Sequence, residues 1–176
     1  GGDLYNSGTI AGRRITHIRA DNVNNLQGRL LGNDVDVSAR TDLNNIGGTI
    51  AASNSLIAHA GRDLNVASTT RTQTGTQGHQ TNIERVAGLY VTGGGAGGVG
   101  APGTLIASAG RDVKLTAAVI QNQAQSQAQA QTQNNAANDT GTSTTLISAG
   151  RDLELGTVRT SAGHRVQWDS ANWRQE

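Results

Sequence analysis

The sequence contains no cysteine, phenylalanine or methionine, and only one proline, two tryptophans and two tyrosines among its 176 residues. The absence of cysteine excludes disulfides and cysteine-ligated metal sites. The scarcity of aromatic residues argues against a compact globular core, because such a core normally uses aromatic side chains to fill its volume. A narrow, stacked core made of Ala, Val, Ile and Leu does not need them.

The charge pattern and the hydropathy pattern weaken two further classes of function. The net charge is +1, and acidic and basic residues are interspersed. Because there is no basic stripe with interleaved aromatic residues, we predict no nucleic-acid partner. No apolar run is long enough for a membrane-spanning helix. The first residues carry no signal peptide and read as the middle of a repeat, so we expect a fragment of a longer protein.

A short, regular repeat organises the first third of the chain. Gly8, Gly28 and Gly48 are spaced by 20 (28−8 and 48−28), and each precedes a polar and then an aliphatic residue. Two aliphatic sets align at spacings of 20 and 21, namely Val23, Leu43 and Leu64, and Ile15, Val35 and Leu56. Short aliphatic clusters between Gly, Asn and Asp corners are typical of β-strands rather than helices.

Alternation within each cluster predicts which side chains face the core. We expect Val35 and Val37 to point inward and Asp34 and Asp36 to point outward. One coil of this kind cannot bury its apolar face alone, but the next coil, stacked about 4.8 Å away, can cover it. The sequence therefore predicts an all-β fold of stacked coils, in which neighbouring repeats of the same chain are one another's main partners.

The tetrapeptide Ala-Gly-Arg-Asp occurs three times, at 60–63, 109–112 and 149–152. We interpret each copy as a corner, in which glycine supplies a positive φ and aspartate accepts backbone hydrogen bonds. The residues assigned to this role are Gly61, Asp63, Gly110, Asp112, Gly150 and Asp152. A stack of carboxylates that binds calcium is the alternative, but the chain lacks the closely spaced Gly-Gly-x-Gly-x-Asp units of such arrays, and each Asp follows an Arg that can neutralise it.

The copies are spaced unevenly, by 49 and then 40 (109−60 and 149−109), which indicates two inserted excursions. The first is predicted to be a hairpin joined near Gly78–Gln80, followed by a glycine-rich loop. The second is rich in alternating Gln, with its turn at Asn134–Thr142. We expect both to leave the same point of the coil and to pair with each other. The predicted segments are 1–68, 69–103, 104–118, 119–144 and 145–176, with Trp168 and Trp173 in a tail that either caps the stack or continues it.

Asparagine pairs recur at equivalent positions of consecutive coils. Asn24 and Asn25 align with Asn44 and Asn45, so we predict ladders of side-chain amides between coils, with Asn25 and Asn45 as their members. A sugar-binding role for these amides is the alternative, although no aromatic platform accompanies them.

Catalytic and cofactor motifs find little support. The stretch 93–98 matches G-x-G-x-x-G, but Pro102 follows closely and no helix can begin there to meet a pyrophosphate. The four histidines have no metal-ligand spacing, and no nucleophile elbow is present. A polysaccharide-cleaving enzyme would want paired carboxylates, for which Asp34 and Asp36 are the candidates. We predict no enzyme activity and no catalytic, cofactor or metal site.

The repeats resemble a known family. The Asn-Asn-cornered coils, the segment 55–66, the stretch 82–91 and the later Gly156-Thr157-Val158 with 166–169 resemble the haemagglutinin repeats of filamentous haemagglutinins and of the exoproteins of contact-dependent growth inhibition. The resemblance implies a right-handed parallel β-helix that is secreted to the surface of a Gram-negative bacterium, with a periplasmic stage before delivery as an option.

The same resemblance implies the partners and leaves two roles open. The implied partners are the outer-membrane transporter of two-partner secretion and the target cell's outer membrane or a surface receptor. One role is to support delivery of a toxin across the target cell's outer membrane. The other is adhesion to host cells or surfaces.

Overall fold

A computed structural model describes residues 1–76, 78–93, 103–123 and 143–164. These residues form 17 β-strands and no α-helix. The strands are β1 (Leu4–Asn6), β2 (Thr9–Ala11), β3 (Ile15–Ala20), β4 (Val23–Leu26), β5 (Arg29–Ala39), β6 (Leu43–Ile46), β7 (Thr49–Ala60), β8 (Leu64–Ala67), β9 (Thr69–Gly75), β10 (Gly78–Arg85), β11 (Gly88–Val91), β12 (Thr104–Ala109), β13 (Val113–Thr116), β14 (Val119–Asn122), β15 (Thr144–Ala149), β16 (Leu153–Gly156) and β17 (Ser161–His164). The predicted all-β class is confirmed.

Two parallel sheets contain most of the strands. The first has six strands in the order β1-β4-β6-β8-β13-β16. The second contains β2, β3, β5, β7, β11, β12, β14 and β15, and its pairings are likewise parallel. The chain visits the sheets in alternation, so we define one repeat as a strand of the first sheet and the following strand or strands of the second. Six repeats begin at β1, β4, β6, β8, β13 and β16.

The core lies between the inner faces of these sheets. Along β5, Val35 and Val37 are buried, whereas Asp34 and Asp36 are partly exposed, as the alternation predicts. In the first sheet, the predicted column of Val23, Leu43 and Leu64 is present in register, and all three are fully buried. Aliphatic side chains of successive repeats therefore cover one another, which explains how a chain without Phe or Met fills its core.

The predicted alignment of Ile15 with Val35 is wrong. Ile15 pairs with Asp34 and is 65% exposed, and Thr16 takes the inward place beside Val35. The reason is that the corner between Ala11 and Ile15 in the first repeat is one residue longer than the equivalent corner between Leu31 and Asp34 in the second repeat. Thr16 is accommodated because its hydroxyl accepts from Gly12 N at 2.9 Å and donates to the Leu31 carbonyl at 2.6 Å.

The excursions leave the repeat at different points, and the prediction of a shared exit point is wrong. The hairpin β9–β10 is inserted between β8 and β11, at the corner that leads from the first sheet to the second. The glycine-rich and glutamine-rich segments are inserted later, between β11 and β12 and between β14 and β15, within the second sheet. Of the predicted glycine-rich loop at 93–103, residues 94–102 lie outside the described residues, as do the predicted turn at 134–142 and both Trp residues.

Two predicted segment boundaries also differ from the structure. Strand β11 pairs with β7, so the hairpin excursion ends before Gly88 and does not run on to the glycine-rich loop. Strand β14 pairs with β11, so Val119–Asn122 belongs to the second sheet and not to the glutamine-rich excursion. Both strands carry the inward aliphatic residue of their repeat, Leu89 and Ile120, which holds them on the core.

A separate antiparallel sheet has the order β17-β10-β9. Gly75 pairs with Gly78, which places the hairpin turn slightly earlier than predicted. Strand β17, in the tail, pairs with β10 from Gly78 opposite His164 to Thr81 opposite Ser161. This part of the tail therefore extends the hairpin sheet.

Candidate functional site

The three Gly-Arg-Asp corners lie directly above one another, because the strands that flank them are in register. A methyl group at Gly110 would overlap the Gly61 carbonyl oxygen, and one at Gly150 would overlap that of Gly110. Neither glycine has a positive φ in the structure, and nor does Gly61. The predicted reason for glycine is therefore wrong: close approach of stacked backbones excludes a side chain here, and left-handed geometry is not involved.

Each corner arginine reaches the aspartate of the preceding repeat. Arg62 Nε donates to Asp42 at 2.8 Å, and a second bond joins its Nη2 to the other carboxylate oxygen. The same bidentate pairing joins Arg111 to Asp63 and Arg151 to Asp112, each with an Nε bond of 2.9 Å. We call this column of three rungs the Arg–Asp ladder. The sequence pointed to the Arg next to each Asp, but the main pairing is between repeats.

The ladder fixes the charge state of its members. Hydrogen bonds from Arg111 lower the pKa of Asp63, and those from Arg151 lower the pKa of Asp112. The carboxylates in turn raise the pKa of Arg111 and Arg151. Because both carboxylate oxygens are already engaged, these aspartates have little capacity left for a cation. Among the residues that the structure describes, no group of three His, Asp or Glu is placed to hold a metal ion.

A second ladder runs through the core of the first three repeats. Asn6 Nδ2 donates to Asn25 Oδ1 at 2.8 Å, and Asn25 Nδ2 donates to Asn45 Oδ1 at 2.7 Å. The amides also cap the corners, since Asn25 donates to Gly28 O and Asn45 to Gly48 O and Gly88 O. Asn25 and Asn45 are fully buried. This inner Asn ladder includes Asn6, which the pattern of Asn pairs does not predict because the residue before Asn6 is Tyr5 and not a second Asn.

The amides adjacent to the inner ladder behave differently. Asn44 Nδ2 donates to Asn24 Oδ1 at 3.0 Å on the outer face of the first sheet, where both side chains are partly exposed. The inner ladder is closed to a ligand because its atoms are buried and paired. Of the two amide columns, only the outer pair could contact a sugar.

The hairpin is joined firmly to the repeats at its base. In other repeats, the corner position equivalent to Ser68 is occupied by Gln27, Gly47 and Ala117, which have positive φ values of 61°, 58° and 46°. Ser68 has no such φ, and there the chain leaves the sheets. The Ser68 hydroxyl accepts from Ala87 N at 2.9 Å and donates to Ala117 O at 2.6 Å. One buried side chain thus ties together both ends of the hairpin and the next repeat.

The exposed faces of the hairpin are almost entirely polar. Thr72 and Thr81 share a hydrogen bond of 2.9 Å across β9 and β10, and Arg71 lies 3.9 Å from Glu84. Ile83 and Val86 are 44% and 45% exposed near the base. Threonine hydroxyls and glutamine amides in a regular array can donate and accept hydrogen bonds.

The second sheet carries two histidines with a polar partner. His17 Nδ1 lies 3.1 Å from Asp36, whose carboxylate also accepts from Ser38 Oγ at 3.0 Å. His59 Nδ1 lies 2.9 Å from Ser108 Oγ. Asp36 is thus paired, and Asp34 is two residues along the same strand. Within the described part of the chain, this arrangement offers no second carboxylate across a cleft, as glycoside hydrolysis requires.

Comparison with known proteins adds no match: no protein-family model, no curated protein and no solved structure is significantly similar to this chain. Within the described residues there is no helix long and apolar enough to cross a membrane. The functional assignment therefore depends on the two ladders, the hairpin and the register that stacks them.

Proposed function

We propose that the chain is a non-catalytic structural segment of a secreted, cell-surface exoprotein of the filamentous haemagglutinin type, folded as a right-handed parallel β-helix. The observation that carries the proposal is the register of the two parallel sheets. Leu56 pairs directly with Leu105, and Leu105 with Thr145, although long insertions separate the partners along the chain. Such stacking produces an elongated array that presents whatever is inserted at its corners.

The specific role that we propose is support of toxin delivery to target bacteria in contact-dependent growth inhibition, at the step of crossing the target outer membrane. The hairpin sheet supports this role. It projects from an otherwise regular stack, is fastened by Ser68 at its base and exposes a polar array. Export through an outer-membrane two-partner transporter fits a chain with no cysteine, since a disulfide loop would obstruct passage of an unfolded chain.

Adhesion through the same hairpin is the second candidate. It is favoured by the exposed hydroxyls and amides of β9 and β10, which can form hydrogen bonds with a surface receptor. Both candidates place the function in the hairpin, so one variant can distinguish them.

The variant deletes 69–86 and replaces Ser68 by Gly. The new corner, Ala67-Gly-Ala87-Gly88, then matches Ile46-Gly47-Gly48-Thr49 of the third repeat, with which β11 is in register. The matched control deletes 93–102, so that Val91-Thr92-Gly103-Thr104 resembles Ala52-Ser53-Asn54-Ser55 and the hairpin stays. Both are introduced into the parent exoprotein, and secretion, target-cell binding and toxin entry are measured.

Delivery predicts that the hairpin deletion leaves secretion and cell binding intact and abolishes toxin entry, while the control retains all three. Loss of cell binding would favour adhesion. Full activity of the hairpin deletion would refute both roles for the hairpin and leave the segment as a spacer.

A further inference from the structure

At the earlier Gly-Arg-Asp corners, a rung of the Arg–Asp ladder joins the aspartate to the next repeat. Within the described part of the chain, the last such corner, at the β15–β16 end of the stack, lacks this rung. Asp63 and Asp112 each receive a bidentate arginine from the next repeat, and their side chains are 22% and 8% exposed. Asp152 occupies the equivalent place and is 71% exposed. Its ion pair within the described residues is with Arg151 of its own corner, at 3.1 Å. This end of the Arg–Asp ladder therefore presents an acceptor for a further arginine.

The apolar positions at this end are uncovered in the same way. The inward column of Leu64 and Val113 is fully buried, and its next member, Leu153, is 52% exposed. In the adjacent column, Leu115 is 8% exposed and Leu155 is 74% exposed. Strands β15 and β16 also pair on one side only within the described residues. Together these features leave two strand edges, two leucines and a carboxylate at the same end of the stack.

We propose that this end is an interaction surface for a further strand pair of the Gly-Arg-Asp type. Its occupant is a segment in which Ala-Gly-Arg-Asp follows a strand and precedes aliphatic residues at alternate positions. The inference does not depend on the proposed role in delivery or adhesion and goes beyond it.

Three contacts define the occupant. Its arginine would pair with Asp152, as Arg151 pairs with Asp112. The residue before this arginine must be glycine, because the backbone of the occupant would approach Gly150 O as closely as Gly150 approaches Gly110 O. Its alternate aliphatic residues would cover Leu153 and Leu155.

A second copy of this chain, stacked head to tail, does not meet these requirements. The first repeat places Asp3 in the column of Asp152 and Asn6 in the column of Leu155. It has Gly2, not Arg, before Asp3. Contact of the two ends would bring like charges together and set an amide on a leucine, which disfavours this occupant.

The test uses the full chain and a fluorescent peptide with the sequence of Thr104–Thr116, which covers one strand, its corner and the next strand. Fluorescence anisotropy at low salt should show saturable binding. Replacing the peptide's Arg111 by Glu, or Asp152 of the chain by Arg, should each weaken binding about tenfold, because like charges then face each other. Combining the two changes should restore most of the affinity. A peptide with Gly110→Val should not bind.

The control is Asp3→Arg, an equal charge change at the opposite end of the stack, which should leave the affinity unchanged. Asp152 is largely exposed, so its substitution should preserve the circular dichroism spectrum. Absence of saturable binding, indifference to Arg111→Glu in the peptide, or an equal effect of Asp3→Arg and Asp152→Arg would each overturn the proposal.

Discussion

Removing one amide from the inner Asn ladder should destabilise the fold far more than removing one amide from the outer pair of Asn24 and Asn44. In Asn25→Ala, Asn45 Oδ1 loses its donor at 2.7 Å in a site that is fully buried. Asn6 Nδ2 loses its bond of 2.8 Å and keeps only those of 3.3 and 3.4 Å. Gly28 O remains paired, because Thr49 N donates to it at 2.9 Å.

The magnitude follows from this inventory. An orphaned buried acceptor costs roughly 1–3 kcal/mol, and the weakened donor together with the space left by the amide adds to it. We therefore expect Asn25→Ala to lower the free energy of unfolding by about 2–4 kcal/mol. Asn44→Ala removes one bond of 3.0 Å on the outer face, where water can replace it, and should cost less than about 1 kcal/mol.

Urea unfolding followed by circular dichroism measures both variants against the parent chain, with equal m-values as the check that midpoints report stability. A triple change of Asn6, Asn25 and Asn45 to Leu provides a further test, since both partners of each ladder bond are then removed together. It should be milder per residue than Asn25→Ala, as Val66 and Leu115 already occupy this column in later repeats. Equal costs for Asn25→Ala and Asn44→Ala would refute the reasoning.

Three further predictions concern the hairpin base, the Gly-Arg-Asp corners and the Arg–Asp ladder. Ser68→Ala should lower the free energy of unfolding by about 1–3 kcal/mol in urea, because the buried Ala87 N–H loses its acceptor. Ser108→Ala loses only a bond to exposed His59 and should cost under about 0.5 kcal/mol, and a reversed order would contradict the role of Ser68 at the hairpin base. Gly110→Ala should lower the free energy of unfolding by about 1–3 kcal/mol, because the new methyl group would overlap Gly61 O. Gly75→Ala places its methyl group in open space and should be nearly neutral. Similar urea midpoints for the two variants would show that the corners are not closely stacked. Because the pKa values of Asp63 and Asp112 are lowered in the folded state, their contribution to stability is present above the ordinary pKa of 3.8 and is lost as pH falls through the lower folded-state values. The urea midpoint of the parent chain should therefore drop more steeply on acidification than that of the double Asp→Asn variant. Parallel pH profiles of the two chains would contradict the Arg–Asp ladder.

The periodic part of the fold could be predicted from the sequence because identical chemistry recurs at fixed spacing. Val23, Leu43 and Leu64 mark one column, and the Asn pairs mark another. Where a corner changes length, the same reasoning fails. Ile15 resembles Val35 chemically, yet the additional corner residue moves Thr16 into the core. Local similarity was therefore a poor guide at the first repeat.

The points at which the excursions are inserted could not be predicted from the sequence for a different reason. Leu89 and Val91 of β11 continue the partly apolar stretch that begins with Ile83 and Val86, so Leu89 reads like Ile83 in the sequence. Only tertiary pairing separates them, since Leu89 is fully buried beside Ile50 and Ile83 is 44% exposed. Pairing across repeats also explains why the Arg–Asp rungs were missed, because Arg111 and Asp63 are far apart in sequence.

Direct stacking of residues that are distant in sequence is the claim on which every other argument depends, and a disulfide can test it. His59 and Ser108 are in register on neighbouring strands, and the native chain has no cysteine to compete. Adjacent strands are about 4.8 Å apart, which a disulfide can bridge, whereas strands two repeats apart are about 9.6 Å apart and cannot be bridged. Mass spectrometry after mild oxidation should find a cross-link in the His59→Cys, Ser108→Cys variant and none in the Ser38→Cys, Ser108→Cys variant, although Ser38 lies in the same column. A cross-link in the second variant but not the first would contradict the register.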